Sequence, residues 1–394
     1  MIQVPKRILP AIVFAQFAGT SLWFAGNAIL PQVQVSWDLP ESSLANVTSA
    51  VMLGFIIGTF LFALFSVADR FKPSRVFLIC SVLGAVFNLL LIFLPSTYFN
   101  LLALRFMTGI FIAGIYPVGM KISADWYGGK LGKALGYLVG ALVLGSAFPH
   151  LLNHFGTSLS WKFVLIGTSA LALIGGIIMI LLVGEGPHRI TGARFEPGKI
   201  VDVFRKREFR AAAFGYFGHM WELYTLWAFI PVILMYYNET HNTEIPISIW
   251  TFLIIAVGSV GCVLGGIFST KLGSAKVAYR FLMLSGILCL ASPLFFDLPE
   301  PLFLGVFIIW GFAVIGDSAQ FSSLSALTAP PAFKGTALTI AVSIGFLLTI
   351  PSIQLLGFLS EQIGTEWLLL TLIIGPIFGL VHTRKLIDQK SSKS

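Results

Sequence analysis

The chain has 394 residues, of which 57% are hydrophobic and only 11% are Asp, Glu, Lys or Arg, and its formal net charge is +8. A soluble globular protein of this size would carry about a quarter charged residues, so the composition excludes that class. The apolar residues form blocks of about 20, which suit membrane-spanning helices and are too long and continuous for β-barrel strands. The composition therefore indicates a polytopic helical membrane protein.

Twelve apolar segments are predicted to cross the membrane as helices. The first follows the basic sequence MIQVPKR, which resembles a signal-peptide start. About 23 apolar residues follow without a small-residue cleavage site, so we expect a retained helix. The predicted spans cover residues 8–31, 43–67, 76–95, 100–124, 133–152, 162–184, 209–237, 247–271, 277–297, 302–328, 335–358 and 365–383.

The basic residues indicate the orientation of these spans. Of the 25 Lys and Arg residues, all but Arg105 and Lys162 lie at the termini or in the connections after even-numbered spans. By the positive-inside rule, both termini are predicted to be cytoplasmic, in a bacterial inner membrane. The positive net charge then reflects topology and does not indicate nucleic-acid binding. The three cysteines lie within spans without metal or disulfide spacing and are interpreted as packing residues.

The longest polar stretch, residues 185–208, divides the chain into two similar halves. We predict a six-helix bundle over 1–184, a basic cytoplasmic linker with a short amphipathic helix near 200–204, a second bundle over 209–384 and a cytoplasmic tail over 385–394. A shift of 200 residues places Phe14 on Phe214, Phe17 on Phe217, Ala28 on Ala228 and Pro31 on Pro231, and a shift of 202 places Gly109 on Gly311 and Gly114 on Gly316. Such repeats are typical of secondary transporters, whose sites lie near the midplane between the repeats.

Three segments resemble motifs of the major facilitator superfamily. FSVADRFKPSR after span 2 is similar to G-x-x-x-D-R-x-G-R-R through Asp69 and Arg70, with Phe65 and Lys72 where glycines are usual. GIFSTKLGSAK after span 8 retains Lys271 and two glycines but has threonine for the aspartate, and span 4 has the family's pattern of an arginine followed by glycines. The resemblance implies an all-α fold of two six-helix bundles that rock about a cavity lined by spans 1, 4, 7 and 10. It also implies a conformational-switch role for Asp69, Arg70 and Lys271.

Further segments bear on the subfamily. GTSLWFAGNA, GHMWELY and GDSAQFSSL resemble sequences of bacterial facilitators associated with nitrate or cyanate. GYLVGALVLGSAFP in span 5 only partly resembles the antiporter motif, because it is one residue short and lacks the glycine before Pro149.

Ionisable residues inside spans 7 and 10 are candidates for proton coupling. His219 and Glu222 are three residues apart and share one side of span 7. An intramembrane carboxylate is costly unless it is paired, protonated or hydrated, and such acids mark proton relays or solute contacts. Asp317, with Gln320 one turn later, would bind a coupling proton or pair with Lys121. The alternative for each group is a structural hydrogen bond between helices.

Candidates for solute binding lie in span 1 and in spans 4, 7 and 10, which are expected to line the cavity with it. Gln16, Thr20, Trp23 and Asn27 form a polar stripe that would face either the cavity or a neighbouring helix. Arg105, near the outer end of span 4, would snorkel outward, attract an anionic solute or pair with Glu222 to close an outer gate. His150 and His154 are expected at the membrane interface. The remaining solute-binding candidates are Tyr116, Trp227 and Gln320.

These features predict a proton-coupled secondary active transporter rather than an enzyme. The absence of a phosphate-binding glycine loop argues against ATP-driven transport within this chain, and no cofactor or metal is expected. The substrate is predicted to be a small polar organic solute or weak acid, and the protein a monomer in lipid. The alternatives are a proton-driven exporter of hydrophobic or cationic compounds and, more distantly, a membrane receptor or integral-membrane enzyme.

Overall fold

The fold consists of long helices, as the apolar blocks predict. A computed structural model describes residues 4–127, 131–156, 160–189, 198, 200–330 and 334–391, and no strand occurs among them. The long helices, named α1 to α12, are Ile8–Ser36, Ser43–Leu64, Pro73–Phe93, Tyr98–Tyr127, Ala134–Phe155, Lys162–Val183, Arg207–His241, Ile247–Leu272, Ser274–Asp297, Glu300–Thr328, Gly335–Leu359 and Thr365–Ile387. By length and composition, 11 of them could cross a membrane. The other, α7, has 35 residues and is less apolar because it contains His219 and Glu222.

The chain forms two compact units, Met1–Phe195 and Glu196–Ser394. The first unit contains α1 to α6 and the second contains α7 to α12. The boundary falls within the segment predicted as a linker, of which residues 190–197 and 199 lie outside the described residues, as do residues 392–394 of the predicted tail. A short helix, Ile200–Arg205, precedes α7 where the amphipathic helix was predicted.

Several long helices are interrupted, and the interruptions of α4 and α10 are equivalent. In α4 the first segment ends at Ile112 and the second begins at Tyr116. In α10 the break lies at Asp317, between segments that end at Gly316 and begin at Ser318. A Cβ atom on Gly114 would overlap Cys80, and one on Gly316 would overlap the Phe281 ring. Glycine at both breaks therefore allows a side chain of the preceding helix to pack against the backbone.

Prolines inside the long helices do not by themselves interrupt them. Pro149, Pro231 and Pro351 lie inside helices that continue through them. Pro117 follows the α4 break directly, in the first turn of the segment that begins at Tyr116. Proline is well tolerated in a first turn because the N–H groups there have no intrahelical partner.

Close backbone contacts through glycine define a matching helix crossing in each unit. The glycines let α2 pack on α4 and α8 pack on α10, because any Cβ would meet a carbonyl oxygen of the partner helix. The contacts are Gly58 with Ile110 O, Gly109 with Val51 O, Gly261 with Phe312 O and Gly311 with Ile254 O. Offsets of 203 residues from α2 to α8 and 202 from α4 to α10 relate the first pair to the second. Small residues at such crossings allow close packing between apolar helices. The repeat seen in the sequence therefore corresponds to equivalent helix contacts in the two units.

The α8–α10 crossing yields a test of this packing. We expect Gly311→Ala to lower the thermal unfolding midpoint of the purified protein, because the new Cβ would overlap Ile254 O, a backbone atom that cannot rotate away. Overpacking of this kind costs about 1–3 kcal/mol. Gly305→Ala on the same helix is the control, since a Cβ there meets nothing within 4 Å. Equal midpoints for the two variants would contradict the close crossing.

Candidate functional site

The Glu222 carboxylate lies in a buried cluster formed by three helices of the second unit. Its exposed fraction is 1%. Its Oε1 atom accepts hydrogen bonds from Trp310 Nε1 at 2.7 Å, from the Cys289 thiol at 3.3 Å and from the Ser285 hydroxyl. All three donors are neutral, so a negative charge on Glu222 is solvated by dipoles without a neighbouring cation among these partners.

A second buried cluster lies on the same side of α7. His219 Nδ1 is 2.8 Å from Asp317 Oδ1, and each side chain is 1% exposed. Asp317 occupies the α10 break, where its carbonyl accepts from the backbone N–H groups of Gln320 and Phe321 at 2.9 Å. The pair joins α7 to α10, and it corrects the prediction that Asp317 would pair with Lys121.

The first unit has apolar contacts at the equivalent places. Gly19 packs against Ile115, which corresponds to His219 against Asp317 at offsets of 200 and 202. Leu22 packs against Gly84, which corresponds to Glu222 against Ser285 at offsets of 200 and 201.

The contacts at the α4 and α10 breaks support this alignment. Cys80 against Gly114 corresponds to Phe281 against Gly316 at the same offsets of 201 and 202. One architecture therefore forms with and without ionisable groups at these two crossings.

Arg105, on α4, is a buried charged group of the first unit. It is 1% exposed, so the prediction that it snorkels outward is wrong. Its Nη2 donates to Leu22 O and Trp23 O at 2.7 Å each, and its Nη1 donates to Asn88 Oδ1 at 3.0 Å. These partners all belong to the first unit, whereas those of Glu222 belong to the second, and Arg105 Nε has no hydrogen-bond partner among the described residues. The Arg105–Glu222 pair stays a prediction.

The polar stripe of α1 contacts neighbouring helices. Gln16 Oε1 lies against Gly119 of α4, and Thr20 lies against Gly145 of α5. Asn27 Nδ2 donates to Thr48 Oγ1 of α2 at 2.7 Å, and Trp23 packs on Phe55 of the same helix. These contacts match the helix-packing interpretation of the stripe. Among the described residues, however, neither polar atom of the Gln16 amide has a hydrogen-bond partner, nor does Asn27 Oδ1.

The other solute-binding candidates are dispersed. Trp227 is fully buried beside Tyr224, with ring centroids 5.4 Å apart. Gln320 is buried one turn after Asp317, and Tyr116, at the start of the second α4 segment, is half-buried. His150 is 3% exposed and His154 is partly exposed, and their position at the membrane interface stays a prediction.

The predicted switch residues lie at one end of their helices. Asp69 Oδ1 pairs with Lys121 Nζ at 2.9 Å within the first unit. The partner of Lys121 is therefore Asp69 and not Asp317. Arg70 and Lys271 are exposed.

The segment after α6 joins this end of the first unit, a contact that the sequence analysis missed. Glu185 Oε1 accepts from the Ser74 hydroxyl at 2.6 Å at the start of α3. Arg189 Nη1 pairs with Glu185 Oε2 at 3.2 Å, and its Nη2 donates to Phe71 O at 2.8 Å. Residues 185–189 are therefore fastened to the loop that precedes α3.

Sequence reasoning also missed the residues that surround the charged groups. Ser285 and Trp310 lie in strongly apolar spans, and Cys289 was interpreted as packing only, although its thiol donates to Glu222. Asn88 carried a usable signal, because it is an amide in the middle of the otherwise apolar span 3. Its Nδ2 donates to Ser169 Oγ at 2.9 Å, so it links α3 to α6.

Sequence comparison with known proteins gives relatives that are similar to part of this chain. A nitrate/nitrite transporter, NrtP of Picosynechococcus sp., is 26% identical over 239 residues, which cover 52% of this chain and 43% of that protein. The chain spans less than half of the length of the curated relatives it matches.

Two solved structures share the fold over nearly the whole chain. A bacterial homolog of the human lysosomal transporter Spinster has a TM-score of 0.71 at 15% identity, and the likeness covers 98% of both chains. A mutant of the nucleoside transporter NupG has a TM-score of 0.70 at 14% identity, with coverage of 96% of this chain and 98% of that one. Likeness at such low identity establishes the fold alone.

The family model covers most of the sequence. The model described as Major Facilitator Superfamily matches residues 12–353, which include parts of both units and both candidate clusters. Together with the repeated six-helix units, this match shows that the chain is a multi-pass membrane protein that belongs to the major facilitator superfamily.

Proposed function

We propose that this protein is a proton-coupled secondary transporter that moves a small polar organic solute or weak acid by alternating access. It acts as a monomer in a bacterial inner membrane, with both termini in the cytoplasm. The supporting observation is that His219–Asp317 and Glu222–Ser285 in the second unit replace Gly19–Ile115 and Leu22–Gly84 in the first. The bundle does not need ionisable groups at these crossings, so a role other than packing accounts for them.

The energetic argument runs against a purely structural role. An ionisable side chain within a spanning helix costs at least about 2.5 kcal/mol on insertion scales. Replacing a buried ion pair by apolar residues of similar volume is often neutral or stabilising. The first unit shows which apolar residues suffice at the equivalent positions, so helix packing alone does not explain His219, Glu222 and Asp317.

The partners of Glu222 favour a proton as the coupling ion. Its three hydrogen-bond donors are a hydroxyl, an indole and a thiol, none of which cancels a carboxylate charge. Uptake of a proton would neutralise the group and would alter the donors that it needs. The His219–Asp317 pair offers a second place where a proton would change the local charge. It lies near the first, because His219 is within one helical turn of Glu222 on α7.

The buried cations favour an uncharged or weakly acidic solute over an inorganic anion. Within the part of the chain whose burial is described, Arg105 is the one Lys or Arg that is buried. Two of its nitrogens already donate to carbonyl oxygens and to Asn88. This observation therefore does not favour nitrate or nitrite, the solutes of the relative NrtP, as substrates of this chain.

Export of a cationic compound is the second candidate. It is favoured by the buried carboxyl groups of Glu222 and Asp317 and by the edge-to-face pair of Tyr224 and Trp227 on α7. Carboxylates and aromatic faces are the groups that attract organic cations. Currents from vesicles loaded with small carboxylates, neutral metabolites or lipophilic cations would separate the two candidates.

Coupling through Glu222 is tested with reconstituted vesicles and such a solute panel. We expect Glu222→Gln to abolish the proton-driven current but to retain solute exchange in the absence of a gradient, because the amide keeps the shape of the side chain and cannot release a proton. Glu239→Gln, an exposed carboxylate on the same helix, is the control and should leave both activities unchanged. A current with unaltered pH dependence in Glu222→Gln would make this carboxyl a packing group.

The role of the His219–Asp317 pair is tested by introducing the equivalent apolar contact of the first unit in its place. We expect His219→Gly alone to lower the thermal midpoint, because it leaves Asp317 buried without its partner, a change that costs about 3–5 kcal/mol in buried pairs. The double variant His219→Gly/Asp317→Ile should recover part of that midpoint, since it recreates the Gly19–Ile115 contact. It should also lose the pH dependence of transport. If the double variant transports with the wild-type pH profile, the pair has no part in coupling.

A further inference from the structure

We infer that Arg105 is a positioning residue that holds α1 in two segments, and that it is not an anion-binding group. It thereby fixes the orientation of Trp23 and Asn27, which flank the break. This inference does not depend on proton coupling, which the proposed function places in the second unit.

The break in α1 exposes backbone groups that need partners. The first segment ends at Thr20 and the second begins at Ala25. Across the gap, Trp23 N–H donates to Thr20 O at 3.0 Å, and regular helical bonding resumes with Ala28 N–H donating to Phe24 O at 2.9 Å. The carbonyls of Leu22 and Trp23 instead accept from Arg105 Nη2 at 2.7 Å each. An unpaired carbonyl in an apolar interior is costly, so the guanidinium stabilises the broken form over its alternatives.

The guanidinium is in turn held by a network that spans the first unit. Asn88 Oδ1 accepts from Arg105 Nη1 at 3.0 Å. Asn88 Nδ2 donates to Ser169 Oγ at 2.9 Å, to Thr168 Oγ1 at 3.1 Å and to Leu165 O at 3.2 Å. The break is therefore fastened through α4 and α3 to α6. A planar donor fork suits this geometry, because one nitrogen can serve two carbonyls while another serves the amide.

Gly26 makes room for this arrangement. A Cβ atom at Gly26 would lie 2.7 Å from Arg105 Nε and 2.9 Å from Arg105 Cδ. Glycine is a poor helix former, yet here it stands at the second position of a helical segment. The close approach of the arginine side chain gives a physical reason for its presence.

The second unit shows the outcome without an arginine. Phe307 stands at the position equivalent to Arg105, and Cys289 at the position equivalent to Asn88, by offsets of 202 and 201. There α7, the counterpart of α1, is one continuous helix from Arg207 to His241. Both helices carry the equivalent prolines Pro31 and Pro231, so proline does not explain the difference. Arginine and the break occur together.

The break places side chains that were candidates for solute binding. Trp23 lies within the gap and packs on Phe55 with ring centroids 4.8 Å apart. Asn27, in the first turn after the gap, donates to Thr48 and keeps an unpartnered Oδ1 among the described residues. In a continuous α1, a side chain before the gap and one after it would point in different directions relative to each other than they do in the broken helix. Arg105 thus acts on these groups through the backbone.

Hydrogen–deuterium exchange of the full-length protein in nanodiscs tests the inference. In Arg105→Gln, backbone amides in peptides covering residues 18–30 should exchange at least about tenfold faster, which corresponds to about 1.4 kcal/mol. Peptides from α5 and from α7 should be unchanged. Glu222→Gln should leave residues 18–30 unaffected, so that failure of the coupling proposal and failure of this one are distinguishable. Unchanged exchange at residues 18–30, or a uniform rise over the whole first unit, would overturn the positioning role.

Gly26→Ala provides an independent variant that keeps the arginine. Its Cβ should displace the guanidinium and raise exchange locally in the same way, even if Arg105→Gln does not fold. In an Arg105→Ala background the added effect of Gly26→Ala should shrink, because the overlap is gone. Val35→Ala, at an 86% exposed position of the same helix, is the control. Additive effects of Gly26→Ala and Arg105→Ala would contradict the contact.

Nitrate serves as the probe for the competing role as an anion ligand. Added at millimolar concentration, it should shift the thermal midpoint of wild type and Arg105→Gln equally. A stabilisation of wild type that Arg105→Gln abolishes would identify Arg105 as an anion site and refute its positioning role.

Discussion

A charged group buried among apolar helices has to find its hydrogen-bond partners within the protein, and Arg105 shows how far this requirement shapes the first unit. Two of its nitrogens donate to two carbonyls that a continuous α1 would use internally and to an asparagine that is itself hydrogen-bonded to α6. The break in α1, the glycine at position 26 and the amide in the middle of α3 are all consequences of placing one arginine there.

The same requirement takes a different form in the second unit. There the ionisable groups are carboxyls and an imidazole, which can gain or lose a proton, whereas a guanidinium remains charged. The glycine crossings of α2 with α4 and of α8 with α10 are shared by both units and account for the common fold. The polar groups differ between the units, and this difference is where the chemistry of transport would reside. The residues shared by both units build the bundle, and the polar residues that differ between the units are the candidates for a role in transport.

This division also bears on what the relatives can teach. The chain shares its fold with the nucleoside transporter NupG and is similar in sequence to a nitrate/nitrite transporter. A fold does not determine the solute, because function resides in the sites that the fold carries. The surroundings of Arg105, Glu222 and Asp317 are therefore more informative about this chain than the fold is.

The sequence by itself determined the class of protein, the helical spans, the duplication and the family, because apolar blocks and constant offsets are properties of the chain order. It also placed His219 and Glu222 on one side of α7 through helical spacing. Only the tertiary structure decided the partners: His219 rather than Lys121 for Asp317, backbone carbonyls for Arg105, and a hydroxyl, a thiol and an indole for Glu222. Helices that are apolar on every side carry no pattern that reports how far each is rotated, so contacts between distant spans follow from the packed structure alone.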